Sequence, residues 1–348
     1  MKKTRLGSEL SRFEDRRIRA VAMLSGGLDS SLAAALVKRA GIEVVGLTVR
    51  HLFAGGPKRE ALIAKVAERL RIPLRVVDRT EDHLQVVRHP QHGYGSAMNP
   101  CIDCRTFMLR VAAQVMEEEG AQFVVTGEVL GQRPMSQHYR ALLQAAEESG
   151  LGDRLVRPLS AKLLPETLPM REGWLRGEDL LAIHGRSRQA QMDLAADLGI
   201  EDYPSPAGGC LLTEKAYAAR VRDAFSHLGR DATGVDDFRR LRYGRHFRLS
   251  EAVKLIVGRN ERENEALERL SAGRIRIEPR DAMGPTALLE GTPTPEDLRL
   301  AAQVVGRYCD HADDAPIALR VIDPRHAEQL IAEPPLSPRD PRLDAWRI

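Results

Sequence analysis

The chain has 348 residues, room for two domains and a sizeable core, with 43% hydrophobic and only 4% aromatic residues. Its net charge of +3 is too small to announce a nucleic-acid partner by itself, so the placement of its arginines matters more than their number. No run is long enough to span a bilayer, and Met1 to Arg17 is charged and lacks the apolar core of a signal peptide, so a cytoplasmic protein with reduced cysteines and no membrane partner is expected.

The aliphatic run Ile18–Leu24 predicts a buried parallel strand. Directly behind it stand Ser25-Gly26-Gly27-Leu28-Asp29-Ser30-Ser31, and Leu32, Leu36 and Val37 then follow at helical spacing from about Ser30. Strand, glycine turn and helix N-terminus in that order make an anion cradle. Gly26 and Gly27 allow close backbone approach to a phosphate, and the helix dipole favours negative charge. The hydroxyls of Ser25, Ser30 and Ser31 add donors, and Asp29 is placed to help hold Mg2+ on the phosphates.

Further along, strands are expected at Glu43–Arg50, Leu74–Val77 and Gln122–Thr126, with helices over Glu60–Leu70 and after Pro100. Strands separated by helical crossovers imply an α/β fold, a doubly wound parallel sheet covered on both faces. Ligands of such sheets bind beyond the carboxyl ends of the strands, where the glycine loop, Thr48 to His51 and Thr126-Gly127-Glu128 all fall. Leu155 to Leu212 is irregular and punctuated by Pro158, Pro165, Pro169, Pro204 and Pro206, and reads as an extension packed on the core. The expected organisation is an N-terminal tail (1–17), a nucleotide-binding domain (18–150), an extension (151–220), a smaller C-terminal α+β domain (221–333) and a loose proline-rich tail (334–348).

Three of the four cysteines carry the choice of chemistry. Cys101 and Cys104 lie three apart at a helix start, in Pro100-Cys101-Ile102-Asp103-Cys104, where the dipole favours thiolate. Cys210 ends Ser205-Pro206-Ala207-Gly208-Gly209-Cys210, whose glycines permit tight wrapping around a cofactor. Cys309 falls in the apparently helical Ala301–His311 and reads as a small semi-buried residue. Three thiolates suit a [4Fe-4S] cluster with one open iron. The rival is a persulfide on a thiol pair that cycles through a disulfide. A zinc site would need a fourth ligand such as His92 or His138.

SGGLDSS closely resembles the signature of the PP-loop ATP pyrophosphatases, of the adenine nucleotide alpha hydrolase-like fold. The resemblance implies enzymes that split ATP between the α and β phosphates, adenylate a carbonyl-type oxygen and let a nucleophile displace AMP. It places the adenine beside Thr48 and Val49, and the nucleotide against Ser25–Ser31, Thr126 and Gly127. With Asn99-Pro100-Cys-x-x-Cys and the later Gly-Gly-Cys, residues 18 to 212 resemble the PP-loop tRNA thiolation enzymes, including the 2-thiouridine synthases. That implies a catalytic set of Asp29, Cys101, Cys104 and Cys210, with the three cysteines as metal ligands. ATP, tRNA and a sulfur donor (sulfide, a cysteine desulfurase or a sulfur carrier) are the expected cofactor and partners, and a homodimer is compatible with this reading. Two departures stand out: bacterial 2-thiouridine synthases have an aspartate where Cys101 sits, and they end in a β-barrel.

Arg133, Arg157 and Lys162 surround the expected pocket, as counter-charges for ATP phosphates or an RNA backbone. Arg239, Arg240, Arg242, Arg245 and Arg248 are packed with Tyr243 and Phe247 into ten residues. Guanidiniums pair with phosphates and aromatic rings stack on unpaired bases, so RNA contacts are expected from this run, with a charged strand face as the alternative. Val257-Gly258-Arg259-Asn260, continuing through Glu263-Asn264 to Leu267, reads as a strand end, an Asn cap and an acidic helix start, and is similar to the RNA-binding domain of the NFACT proteins.

Overall fold

The computed structural model describes residues 17–53, 55–201, 203, 210–310 and 315–348. The chain divides into two compact units, Met1–Cys210 and Leu211–Ile348. The division falls between the expected borders at 150 and 220. Leu155–Val156 joins the N-terminal sheet, whereas the helix Lys215–Leu228 packs in the second unit, its Tyr217 hydroxyl donating to the Phe238 carbonyl at 2.9 Å.

The first unit runs β1 (Arg19–Met23), α1 (Leu28–Arg39), β2 (Glu43–Arg50), α2 (Pro57–Arg69), β3 (Leu74–Asp78), α3 (Thr80–Arg88), α4 (Cys101–Glu118), β4 (Phe123–Val125), α5 (Tyr139–Glu148), β5 (Leu155–Val156), α6 (Leu168–Arg171) and α7 (Gln189–Asp197). The strands pair in parallel in the order β3-β2-β1-β4-β5. Alternation along β1 sends Ala20 and Ala22 to one face, against Ile63 and Val66 of α2, and Val21 to the other, against Leu109 and Ala112 of α4. Both faces are therefore apolar and covered, as a parallel sheet requires. The strand order reverses between β1 and β4, and the crevice beyond their carboxyl ends is the natural ligand site of such a sheet.

The second unit runs α8 (Lys215–Leu228), α9 (Val235–Arg240), β6 (Arg245–Ser250), β7 (Val253–Val257), α10 (Glu261–Arg269), β8 (Ile275–Pro279), β9 (Ala287–Gly291), α11 (Pro295–Gly306), β10 (Ile317–Ile322), β11 (Gln329–Glu333) and α12 (Arg342–Trp346). Its sheet is antiparallel, in the order β11-β10-β8-β9-β7-β6. Asn260 caps α10, its side-chain oxygen accepting from the Glu263 amide at 3.1 Å. Cys309 lies just past α11, 7% exposed in the core, its thiol donating to the Val305 carbonyl.

One expectation is corrected here. The proline-marked terminus is not loose: Leu336 and Leu343 are buried in the core of this unit. The Leu336 amide donates to Gln303 O at 2.9 Å and the Ile348 amide to His246 O at 3.1 Å. Prolines limit hydrogen bonding but not burial, and two well-spaced leucines suffice to dock the segment. Among the described residues no helix is long and apolar enough to cross a membrane.

Candidate active site

The glycine loop sits where β1 ends. Gly26 takes φ +73°, a region open to glycine, and its neighbour Ile63 would stand only 3.1 Å from an added Cβ. Gly27 is the extended N-cap of α1 without a side-chain cap, which leaves the first helical amides for a ligand. The serine hydroxyls were expected as ligand donors, but here they stiffen the turn. Ser30 Oγ donates to Gly27 O at 2.9 Å, Ser31 Oγ donates to the same carbonyl at 3.1 Å, and the Ser25 amide donates to Ser30 Oγ at 3.1 Å. Asp29 accepts from Gln132 Nε2 through Oδ2 at 3.0 Å, while its enclosed Oδ1 has no hydrogen-bond partner among the described residues. An orphaned carboxylate oxygen beside a phosphate cradle has the chemistry of a Mg2+ ligand.

The end of β4 closes onto this loop. A Cβ on Gly127 would lie 2.4 Å from Asp29 C and Ser30 N, so only glycine permits the approach. Thr48 and Val49 are half-buried at the carboxyl end of β2, in the same row of strand ends, while Thr126 at the end of β4 is buried. Arg59, in the first turn of α2, donates from Nε to Ser25 O at 2.8 Å. Burial and the nearby Arg133 cation lower the Arg59 pKa, with Cys210 opposing them. Two like charges held beside a glycine loop are a counter-charge for an anion. Arg59 was not expected from the sequence; the Gly55-Gly56-Pro57 helix entry beyond β2 was the available signal.

The cysteine helix α4 begins at Cys101, and both of its cysteines are half-buried. Asn99 Nδ2 donates to Cys101 Sγ at 3.1 Å, and His83 Nε2 lies 3.2 Å from Cys104 Sγ. Burial pushes the Cys104 thiol up to about 12, with Cys210 and Cys101 adding to the effect and Arg105 opposing it. The exposed Cys210 therefore shares the electrostatic neighbourhood of the CxxC pair. Ser205 to Gly209, whose glycines were expected to wrap a cofactor, lie outside the described residues. Among the described residues, no group of three or more His, Cys, Asp or Glu side chains stands at metal-binding spacing. By donor chemistry the three sulfurs, one carrying an amide N–H bond, fit a cluster's needs.

The histidine beside the cysteines is His83, not the expected His92 or His138. His83 lies against His51 with ring centroids 4.2 Å apart and the rings tilted by 39°, and burial lowers their pKa values to about 3 and about 4. Both rings are neutral at pH 7. His92 instead bridges Asp103 and Glu148 at 3.1 Å each, and His138 accepts from the Ala141 amide as the cap of α5. A single histidine with no Cys-x-x-His spacing gives sequence reading little to find.

Glu128 ties the two halves together. It is 2% exposed and pairs with Arg157 of the buried floor and with Arg105, the residue after Cys104, each at 3.0 Å. Burial would raise its pKa, but the two guanidiniums outweigh that and hold it below the usual range. Arg157 is thereby corrected: at 4% exposure, bound to Glu128 and Leu142 O, it cannot reach ATP or RNA. Arg133 and Lys162 remain exposed.

In the second unit the arginine run is split by its folding. Arg240 is 2% exposed and held by Asp237 and Glu290, so it is a core ion pair rather than an RNA contact. Arg248 is fixed to Asp223 at 2.7 Å, and Arg239 pairs with Asp236 at 2.9 Å. Arg242 is exposed, and Arg245 lies over the Tyr308 ring at 4.5 Å.

Residues 17–159 match the family model described as thiamine biosynthesis protein (ThiI), and residues 244–347 match that of the NFACT protein RNA binding domain. The chain is 31% identical over 220 residues to the tRNA-specific 2-thiouridylase MnmA of Xanthobacter autotrophicus, covering 59% of this chain and 54% of that one. To the protein of the same name in Methylorubrum populi it is 29% identical over 330 residues, covering 87% and 79%. The chain thus spans about half the length of the first of these relatives. Among solved structures, the U34-tRNA thiolase NcsA from Methanococcus maripaludis with its [4Fe-4S] cluster is similar at 18% identity and TM-score 0.33, over 65% of this chain and 73% of that one. A 4-thiouridine synthetase–RNA complex with bound ATP is similar at 22% identity and TM-score 0.33, over 52% and 51%. With its glycine loop after β1, its reversed strand order and the two family-model matches, the chain joins a PP-loop domain similar to that of ThiI to a C-terminal region similar to the NFACT RNA-binding domain.

Proposed function

We propose that the protein is an ATP-dependent tRNA sulfurtransferase. The observation that carries this reading is the junction at the end of β4: Gly127 rests on the phosphate loop while the adjacent Glu128 grips Arg105 beside Cys104. An activating site and a sulfur site are thereby held on one rigid element, as a two-step replacement of oxygen by sulfur requires.

The Ser25–Ser31 loop would take the phosphates of ATP, Asp29 would hold its Mg2+, and Arg59 and Arg133 would balance its charge. The nucleobase carbonyl oxygen attacks the α phosphate and pyrophosphate leaves. Sulfur then adds at the activated carbon and AMP departs with the former carbonyl oxygen, because AMP leaves far more readily than hydroxide. Glu128 and its two arginines keep α4 in register with the loop throughout.

A [4Fe-4S] cluster would be held by Cys101, Cys104 and Cys210, and would supply an open iron site for sulfide. Burial pushes the Cys104 thiol up, which makes it a poor nucleophile for a persulfide step, whereas metal coordination would deprotonate it; Cys101 and Cys210 stay open to either chemistry. Asn99 donating to Cys101 Sγ is the kind of bond that tunes such a centre. Incubation with ATP, sulfide and bulk tRNA followed by nucleoside mass spectrometry tests the activity; a thiolated nucleoside is expected, and its absence from ATP-cleaving protein overturns the reading. Anaerobic protein is expected to carry about four irons per chain, lost in Cys101→Ala, Cys104→Ala and Cys210→Ala but kept in Cys309→Ala. A colourless, active preparation would return the choice to persulfide chemistry, and stoichiometric zinc to a structural site.

A further inference from the structure

In the second unit many arginines are committed to carboxylates: Arg240, Arg248, Arg259, Arg274, Arg276 and Arg320 all stand in ion pairs. Against that background one cavity of about 160 Å³ differs. Arg307, Arg339 and Arg347 line it, and none has an ion pair with a carboxylate among the described residues. Arg307 Nε is enclosed with no hydrogen-bond partner among the described residues, as are Nε of Arg220, Arg276 and Arg320.

Two carboxylates share the lining. Asp340 is already held by Arg342 at 2.8 and 3.0 Å, which leaves Asp344 as the opposing charge of the cavity. Tyr308 also lines it, with the guanidiniums of Arg307 and Arg245 over its ring at 5.3 Å and 4.5 Å from the centre. The docked terminus fixes Arg347, which bridges to Phe247 beside the Ile348–His246 bond.

We propose that this cavity seats a backbone phosphate of RNA, and that the docked terminus completes the RNA-binding surface of the second unit. This deepens the RNA-binding part of the reading above and rests on it. Guanidinium groups with no internal partner and a fixed planar geometry match phosphate oxygens. The volume lies well below the roughly 300–1,000 Å³ of a pocket for a whole small ligand. It therefore fits one repeated group of a polymer lying across the surface, rather than a free nucleotide.

The test is an anisotropy titration of the full chain with labelled bulk tRNA over a range of salt. The Arg339→Ala/Arg347→Ala protein is expected to bind about tenfold more weakly at low salt, with a salt slope shallower by about one unit for the one phosphate seat lost. Both side chains are exposed, so folding is retained. Arg325→Ala removes one charge, half that of the double variant, from an arginine already paired with Asp323 at 3.0 Å and should change neither quantity by as much as one contact. Equal losses in the control and the double variant, or no loss in either, overturn the phosphate seat while leaving RNA binding itself intact. Failure of the unaltered chain to bind tRNA would instead sink the reading beneath it. Polyglutamate competing as well as RNA would reassign the cavity to an acidic protein partner and overturn the proposal.

Discussion

Asp29 and Gly127 show how single residues set the chemistry of the loop. Asp29 keeps one carboxylate oxygen enclosed and unpartnered, a costly arrangement that a magnesium ion would relieve. Asp29→Ala should cut pyrophosphate release by at least about a hundredfold, with the melting temperature little changed; undiminished release would remove Asp29 from the phosphate machinery. Gly127→Ala inserts a methyl group 2.4 Å from the Asp29–Ser30 peptide. The loop must shift by about an ångström, which should cost about a hundredfold in ATP cleavage. Retained binding of ATP with lost cleavage, measured by calorimetry and pyrophosphate assay, would distinguish misplacement from collapse.

At the scale of elements, β4, α4 and α5 are locked by charge rather than by apolar contact alone. Glu128→Ala would strand Arg157, 4% exposed, without a counter-charge, and should lower unfolding free energy by about 3–5 kcal/mol in a denaturant titration. A loss under about 1 kcal/mol would place the burden elsewhere. His92 joins Asp103 of α4 to Glu148 of α5. Burial lowers its pKa, but the two carboxylates outweigh burial and raise it. The bridge therefore stabilises fully below the free imidazole value near 6.5 and fades as pH rises through the higher folded value. The stability lost between about pH 6 and about pH 9 should be smaller in His92→Gln by up to about 1 kcal/mol. His51 and His83 work with the opposite sign. Their lowered values leave them neutral in the fold, so stability is present above the free value and is lost as pH falls toward about 4.

Over the whole molecule, the terminal segment belongs to the second core. Ending the chain after Glu333 removes Leu336 and Leu343 from it, each worth about 1.5–3 kcal/mol of burial. The shortened protein should lose a thermal transition assigned to the second unit, or shift it sharply downward, while tRNA-independent ATP cleavage by the first unit persists. An unchanged melting profile would mean that the segment is not needed for that core.

The sequence by itself determined the elements whose signals are local. The SGGLDSS turn, the strands at 19–23 and 43–50, the helix opening at Cys101 and the Asn260 cap all follow from patterns within a few residues. Tertiary structure decided which charges are available for function. Arg157 and Arg240 lie in arginine-rich or polar stretches like their neighbours, yet Glu128, and Glu290 beside the local Asp237, reach them from far away in the chain. Arg59, His83 and the trio of Arg307, Arg339 and Arg347 were illegible for the converse reason. Apart from the Gly55-Gly56-Pro57 helix entry before Arg59, nothing nearby in sequence marks them, and only the fold brings them beside a phosphate loop, a thiol or one another. Local patterns fix backbone conformation, but burial and charge pairing are properties of distant segments brought together.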